Sequence, residues 1–223
     1  MSVAEVIDVV LLSLRVGLVS TLLILVPGVA VGYLLARGHF RGKTVLRVLV
    51  TLPMVLPPVA VGLLLLVLFS QRFAVGSFLG NVFGGTVLFT WWAAVIASAV
   101  MSFPLLVLGA ESGFRGVPRR LEQVAATLGA APGRVFLEVS LPLARRGILH
   151  GAAFAFVRGL GEYGATALVA GDAPGRTRTL ALAIFERIES FQDRDALVLS
   201  AIAIALALVT VGAAELFFGG RER

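Results

Sequence analysis

Long apolar runs separated by short charged stretches are the dominant pattern of this 223-residue chain. Each run has at least about 20 residues, the length that a helix needs to cross about 30 Å of hydrocarbon. Prolines fall inside several runs, and membrane helices tolerate such breaks when neighbouring groups satisfy the freed backbone atoms. The pattern predicts an all-α, polytopic membrane protein of one domain, with five transmembrane helices at about residues 9–36, 48–69, 86–110, 148–170 and 196–218.

The charges between the runs alternate, and this alternation predicts the orientation of the chain. Loops 37–47 and 111–147 are rich in arginine, whereas loop 70–85 has one basic residue and the N-terminal stretch has only acids. Loops rich in lysine and arginine stay in the cytoplasm. We therefore expect the N-terminus outside and the C-terminus, with Arg221 and Arg223, inside.

Loop 111–147 is predicted to carry two short amphipathic helices. Apolar positions recur at helical spacing before Gly129, which is expected to end the first helix in a left-handed conformation. Pro132 suits the first turn of a second helix at 132–139, which the Leu-Pro pair at 141–142 is expected to end before the fourth span. From the residues alone, the two helices fit the inner leaflet surface as well as a docking site for another protein.

Two charged residues, Arg158 and Glu162, fall inside the fourth predicted span. If that span starts near residue 148, they lie about 15–21 Å along it, near the middle of the bilayer. Charges at this depth usually face a partner or a water-filled cavity, and their i, i+4 spacing allows the two side chains to pair. They are either part of a gate or a buried structural pair. Gly161 and Gly164 beside Glu162 are expected to let the helix flex.

Composition agrees with the bilayer as the solvent and excludes several functions. The chain is 58% apolar and 14% charged, whereas soluble domains are about 45–50% apolar and about 25% charged. Its mean hydropathy is +0.98. It has no cysteine, which excludes disulfides and thiol chemistry. The net charge of +6 comes from basic residues beside apolar runs, where they set topology, so we expect contact with lipid and none with nucleic acid.

Neither a catalytic site, a nucleotide site nor a metal site is predicted. The stretch 38–44 has three residues between its glycines, where a phosphate-binding loop needs four. The two histidines, His39 and His150, have no nearby serine or aspartate pattern, which argues against an intramembrane hydrolase. The N-terminal stretch lacks the features of a signal peptide, so we expect the first apolar run to remain in the mature protein.

Loop 111–147 resembles the signature loop of ABC importer permeases, which reads E-A-A-x-x-x-G and, after nine residues, I-x-L-P. The matching residues are Gln123, Val124, Ala125, Gly129, Val139, Leu141 and Pro142, and Glu122 stands one position before the expected acid. By this resemblance the second short helix inserts into a groove of a separate ATPase, with Phe136 as its apolar anchor. The coupling residues that it implies are Glu122, Gln123, Ala125, Gly129, Pro132, Arg134, Val135, Phe136, Leu141 and Pro142.

Two further stretches resemble molybdate permeases in particular. They are residues 52–69, LPMVLPPVAVGLLLLVLF, and residues 156–185, FVRGLGEYGATALVAGDAPGRTRTLALAIF. Sulfate and tungstate permeases are related and stay open as alternatives. The candidate pore or gate residues in the second stretch are Arg158, Gly161, Glu162, Gly164 and Thr166, whose hydroxyl could donate to a tetrahedral oxyanion. The candidate residues for the outer mouth are Arg176 and Arg178.

The resemblance implies a permease in the bacterial or archaeal inner membrane that imports molybdate by alternating access. It implies a homodimer with two cytoplasmic ATPase subunits, which bind ATP and Mg, and a periplasmic oxyanion-binding protein. This chain itself is expected to hold no cofactor and to have no enzymatic activity. A secondary transporter or channel that uses Arg158 and Glu162 directly is the alternative from another class, and it predicts uptake without an ATPase.

Overall fold

The computed structural model describes residues 2–218, and every regular element in that part of the chain is helical, as the predicted all-α class requires. Arg221 and Arg223, which entered the predicted orientation, lie outside the described residues. The helices are α1 (Val3–Arg37), α2 (Lys43–Val55), α3 (Pro58–Leu68), α4 (Ala74–Phe83), α5 (Trp91–Arg115), α6 (Arg119–Thr127), α7 (Pro132–Val135), α8 (Leu141–Leu160), α9 (Gly164–Ala170), α10 (Leu180–Glu189) and α11 (Asp193–Phe218). A π-helical turn, Phe136–Ser140, joins α7 to α8.

Three of the described helices, α1, α5 and α11, are long and apolar enough to cross a membrane alone. Helices α2 and α3 form a fourth crossing if the two are counted as one bent span. The predicted number of five crossings is therefore not confirmed within the described residues, although each predicted span overlaps a helix. The short helices α4 and α10 lie in stretches that were predicted as loops.

The second predicted span consists of two helices, α2 and α3, that meet at 110°. Pro57 and Pro58 cause the break, because neither has an amide hydrogen and each keeps the preceding residue out of the helical region. Leu56 accordingly has an extended backbone, with φ −70° and ψ 146°. Pro58 then begins α3, where the missing amide hydrogen removes no helical hydrogen bond.

The fourth predicted span is also interrupted, although it contains no proline. Helix α8 ends at Leu160, α9 begins at Gly164, and α9 packs against α3, so the two interrupted spans lie side by side. A Cβ on Gly62 would lie 2.8 Å from Cα of Ala165, and a Cβ on Gly164 would lie 2.8 Å from Cβ of Pro58. Glycine at both positions lets the two backbones approach this closely.

The helix end predicted at Leu141 and Pro142 is wrong. The second loop helix continues through the π turn into α8, so the chain is helical from Pro132 to Leu160. The amide of Leu141 donates to the carbonyl of Phe136, which is the i→i+5 bond of a π turn. This wider turn gives room to the ring of Pro142, which would collide with the preceding turn of a regular α-helix.

Small residues bring α1, α5 and α8 together at the centre of the molecule. A Cβ on Gly109 of α5 would lie 2.5 Å from Cα of Gly151 in α8, and a Cβ on Gly32 of α1 would lie 2.6 Å from Cβ of Ala110. Close approach through small residues lets membrane helices gain packing contacts where no hydrophobic driving force separates helix from lipid. The candidate sites lie at the two ends of this packed centre and at the break in the fourth span.

Candidate functional site

Arg158 and Glu162 form the predicted i, i+4 ion pair at the break between α8 and α9. Nη1 of Arg158 lies 2.7 Å from Oε2 of Glu162. The other carboxylate oxygen, Oε1, accepts a hydrogen bond of 2.9 Å from the amide of Ala165. The side chain of Glu162 is 1% exposed and that of Arg158 is 33% exposed. A carboxylate so deeply buried requires partners, and this one has both an opposite charge and a backbone donor.

Glu162 therefore stabilises the start of α9 in addition to neutralising Arg158. Ala165 lies in the first turn of α9, where the amides have no partner inside the helix. A side-chain acceptor at this place acts as a helix cap. Because both of its oxygens are occupied, the carboxylate is suited to organising the break and is not presented as a free charge.

The other predicted gate residues have different surroundings. A Cβ on Gly161 would meet nothing nearer than 4.0 Å, whereas Gly164 is packed directly against Pro58. Thr166 is fully buried, and its hydroxyl has no hydrogen-bond partner within residues 2–218. The structure thus brings these residues together at the break, with Thr166 closed off from solvent in this conformation.

In the loop that joins α5 to α8, the carboxylate of Glu122 turns toward the membrane helices. Its Oε1 accepts hydrogen bonds from Nε of Arg37, at 3.1 Å, and from the hydroxyl of Ser140, at 2.7 Å. Arg37 also donates to the carbonyl of Val117 at 2.7 Å. Glu122 thus ties α6 to the end of α1 and to the π turn, which gives a structural role to an acid that is displaced in the motif.

A second buried carboxylate, Glu111, was not among the predicted site residues. It is 4% exposed, and its Oε1 accepts hydrogen bonds from Arg115, at 2.6 Å, and from Arg47 of α2. The i, i+4 spacing to Arg115 is a signal that the sequence contains, but the contact with Arg47 joins residues 64 positions apart. This cluster fastens α2 to α5 at the same end of the molecule as the loop.

Gly129 ends α6 in the predicted left-handed conformation, with φ +86°. Its amide donates to the carbonyl of Ala126 at 3.0 Å, and the amide of Ala130 donates to the carbonyl of Ala125 at 3.1 Å. These two bonds satisfy carbonyls that the helix end would otherwise leave free. Pro132 then starts α7, as predicted.

Phe136, the predicted apolar anchor, packs against other helices of this chain, and its contact with an ATPase stays a prediction. Its ring centroid lies 4.8 Å from that of Tyr33 and 5.9 Å from that of Phe114. The half-buried ring packs against a buried core cluster, so it joins the loop to α1 and α5. The apolar side chains that this part of the loop exposes most are Leu128 and Leu137, at 82% and 60%.

The other predicted coupling residues differ in exposure. Three are half-buried, namely Ala125, Val135 and Leu141, and four are exposed, namely Gln123, Pro132, Arg134 and Pro142. Nε of Arg134 lies 3.4 Å from a carboxylate oxygen of Glu138, in a solvent-exposed pair. We call Leu128, Pro132, Arg134 and Leu137 the loop face.

The two arginines predicted at the outer mouth have different partners. Arg178 binds both carboxylate oxygens of Asp172, at 2.7 and 3.0 Å, and its side chain is 13% exposed. The hydrogen bond with Asp172 raises the pKa of Arg178 above its ordinary value. Arg176 is exposed and lines a cavity of about 410 Å³. Arg178 therefore forms a structural ion pair with Asp172, whereas the exposed side chain of Arg176 lines the cavity.

In the part of the chain that the structure describes, no three histidine, aspartate or glutamate side chains converge as metal ligands would. Nε2 of His150 lies 3.5 Å from Glu215, and His39 contacts Arg119. The chemistry of these regions is ion pairing and hydrogen bonding at helix ends.

Residues 28–216 match the family described as "Binding-protein-dependent transport system inner membrane component". The chain belongs to this family. The permease is 44% identical over 203 residues to the molybdenum transport system permease protein ModB of Escherichia coli (strain K12), over 91% of this chain and 89% of the relative. It is 37% identical over 158 residues to the molybdate/tungstate transport system permease protein WtpB of Pyrococcus abyssi (strain GE5 / Orsay), over 71% of this chain and 58% of the relative.

The permease also matches a chain from inward-facing structures of the MetNI methionine ABC transporter. The TM-score is 0.75 at 17% identity, over 98% of both chains, which shows a shared fold. The family predicted from the loop and from residues 156–185 is confirmed. Membership in this family implies that the chain is a membrane transporter subunit and not an enzyme. It also implies that the subunit works with ATPase and binding-protein components.

Proposed function

We propose that this permease imports a tetrahedral oxyanion, molybdate or tungstate, from a periplasmic binding protein into the cytoplasm by alternating access driven by ATP. The observation that carries the proposal is the 44% identity to the ModB protein across 91% of the chain. The WtpB relative, whose name includes tungstate, supports tungstate as a second substrate of the same chemistry. Both anions are dianions of similar shape, so a site built for one accepts the other.

The proposed assembly is a homodimer of this chain with two cytoplasmic ATPase subunits and one periplasmic binding protein. Among the described helices, one copy has three long apolar helices and one bent pair, which are too few to surround a polar pathway. Two copies supply twice that number. In this assembly ATP and Mg bind to the ATPase subunits, and the permease carries no cofactor.

The proposed orientation has the N-terminus outside and the loop inside, in a bacterial or archaeal cell membrane. Arg37 and Arg47 lie at the same end of the molecule as the loop, because they pair with Glu122 and Glu111. Positive charge gathered at one end of the spans is typical of the cytoplasmic side.

The loop face is the proposed docking surface for the ATPase. Exposed apolar side chains rimmed by polar ones are typical of protein partner sites, and Leu128 and Leu137 meet that description. Phe136 and Glu122 lie on the opposite side of the same loop, where they contact α1 and the π turn. Movement imposed on the loop face therefore passes into the membrane helices through these two side chains.

The break between α8 and α9 is the proposed gate, and Glu162 is its organiser. Its carboxylate holds Arg158 and the first turn of α9, so it offers no free negative charge to a passing anion. Gly161, Gly164 and Thr166 belong to the same break. The gate opens in this proposal when α8 moves relative to α9.

Uptake of labelled molybdate into vesicles tests this function directly. We expect vesicles that contain the permease and its ATPase to accumulate molybdate only with internal ATP and the loaded binding protein. Tungstate should compete more strongly than sulfate. Uptake without an ATPase that follows the proton gradient would contradict the proposal and favour a secondary transporter.

Variants of the loop face separate docking from folding in the same complex. Leu137→Asp is expected to reduce co-purification of the ATPase at least about tenfold, since a charge replaces an apolar contact that a partner would bury. Phe191→Asp, at the 93% exposed turn between α10 and α11, is the matched control outside the loop and should leave co-purification unchanged. Full ATPase binding by both Leu128→Asp and Leu137→Asp would rule out the loop face as the docking surface.

A further inference from the structure

The cavity lined by Arg176 lies at the end of the permease opposite the loop, between α1, the start of α5 and the segment 171–179. Its volume is about 410 Å³. Its polar walls are supplied by two guanidiniums, two indoles and two hydroxyls, from Arg15, Arg176, Trp91, Trp92, Thr90 and Thr177. None of its lining residues is acidic.

Both arginines of this cavity lack an ion-pair partner among the described residues. Two other arginines at this end of the molecule are paired, since Arg178 binds Asp172 and Arg187 binds Glu5. A cleft lined by one sign of charge concentrates ions of the opposite sign. An anion is therefore the occupant that this cavity favours.

Arg15 is held in place without losing its hydrogen-bond donors. Its guanidinium carbon lies 4.5 Å from the centroid of the Trp91 ring, in a cation–π contact. Such a contact uses the face of the guanidinium. The N–H groups lie along the edge of the same plane, where they match the paired oxygens of an oxyanion.

Arg176 projects from a braced turn. The Thr177 side chain beside it is buried, and its hydroxyl donates to the carbonyl of Gly171 at 3.1 Å and accepts from the amide of Ala173 at 3.0 Å. The amide of Arg176 donates to the carbonyl of Ala173 at 3.1 Å. The backbone of Arg176 is therefore fixed. This reduces the conformational entropy that is lost when its exposed side chain binds a ligand.

We propose that this cavity, the arginine cradle, binds a tetrahedral oxyanion at the outer mouth of the permease. The proposal rests on the proposed function, to which it adds a binding site in the permease itself. The cradle is wider than a bare oxyanion, so the bound anion keeps water around it and is released readily. The phosphate group of a lipid has the same chemistry, and the experiment distinguishes the two sources.

The permease contains its own reporter for this test, because its only two tryptophans, Trp91 and Trp92, both line the cradle. Sodium molybdate is titrated into the purified, lipid-depleted permease while tryptophan fluorescence is recorded. Sodium chloride of equal ionic strength serves as the salt control. We expect a saturable change with molybdate and with tungstate, and none with chloride.

Arg176→Gln is the decisive variant, since it removes one guanidinium and leaves the cation–π contact between Arg15 and Trp91 in place. We expect its midpoint for molybdate to rise about tenfold, which is the typical effect of losing a charge-assisted hydrogen bond. Arg15→Gln should do the same and also change the initial fluorescence. Arg72→Gln, which removes an exposed arginine outside the cradle, should match the unaltered permease.

Two results would overturn the proposal. One is a molybdate response that is absent, or that has the same midpoint in Arg176→Gln. The other is a response to short-chain phosphatidylglycerol with none to molybdate, which would assign the cradle to a lipid headgroup. Neither result decides the proposed function, which is tested separately by ATP-driven uptake into vesicles.

Discussion

Two interrupted spans lie against each other in the permease, and different chemistry interrupts them. Between α2 and α3 the cause is covalent, because Pro57 and Pro58 have no amide hydrogens to continue a helix. Between α8 and α9 no proline is present, and side-chain contacts hold the ends in place. Glu162 binds both Arg158 and the amide of Ala165 there.

This difference makes the bend between α2 and α3 rigid and the break between α8 and α9 movable. Proline keeps its φ angle near −65° in every conformation, so the bend between α2 and α3 persists whatever its neighbours do. A break held by one ion pair and one hydrogen bond changes when those contacts are lost. The gate therefore belongs at the second break, with the first as the surface against which it moves.

The largest effect is expected from Glu162→Ala. The change leaves the charge of Arg158 unpaired and the amide of Ala165 unsatisfied where little water is present. Removing one partner of a buried pair costs about 3–5 kcal/mol, and we expect the lower end because Arg158 is partly exposed. Thermal unfolding in detergent measures the loss, and uptake should fall to background.

Glu162→Gln is the control that separates charge from capping. Its amide oxygen still accepts from Ala165, so we expect a stability between those of Glu162→Ala and the unaltered permease. Uptake should remain strongly reduced, since the neutral side chain leaves the charge of Arg158 uncompensated. Uptake at the unaltered rate in Glu162→Gln would show that the ion pair is not needed for the gate.

Replacement of the two glycines near Glu162 by alanine is expected to have an intermediate effect at Gly164 and almost none at Gly161. In Gly164→Ala the new Cβ meets Pro58, which separates the two interrupted spans and costs about 1–3 kcal/mol. Gly161→Ala meets open space and should change stability by less than about 0.5 kcal/mol. Thermal unfolding and uptake are measured for both. Lost uptake in a stable Gly161→Ala variant would mean that flexibility there is required after all.

A small effect is also expected from Pro57→Ala. Pro58 still keeps residue 57 out of the helical region, so the bend between α2 and α3 should persist, with a stability change below about 1 kcal/mol. The distance between spin labels on α2 and α3 reports the bend. A straightened span in this single variant would show that the first break is as changeable as the second.

The apolar runs of the sequence predict where helices lie but not whether each run is one helix. The pair Pro57 and Pro58 is a local signal, so the first break could have been placed from sequence. The second break depends on a tertiary contact, because Gly164 begins a new helix where α9 packs against Pro58. Such a contact has no local signature.

The loop shows the same limit for side chains. Helical spacing puts Phe136 on an apolar face, yet only the fold determines that this face meets Tyr33 and Phe114. The pairing of Glu111 with Arg47 likewise depends on how α2 packs against α5. Short-range features such as the left-handed Gly129 were predictable because the residue's own backbone decides them.

The uninterrupted helix from Pro132 to Leu160 makes a mechanical lever of this part of the permease. At 1.5 Å per residue it is roughly 40 Å long. Its closest contacts with α5 lie at two glycines, since a Cβ on Gly109 would lie 2.5 Å from Cα of Gly151 and a Cβ on Gly147 would lie 2.5 Å from Cα of Gly113. These contacts lie roughly half and two thirds of the way along the helix. A rigid rod that turns about them would move its Glu162 end when the loop face is pushed, in the opposite direction.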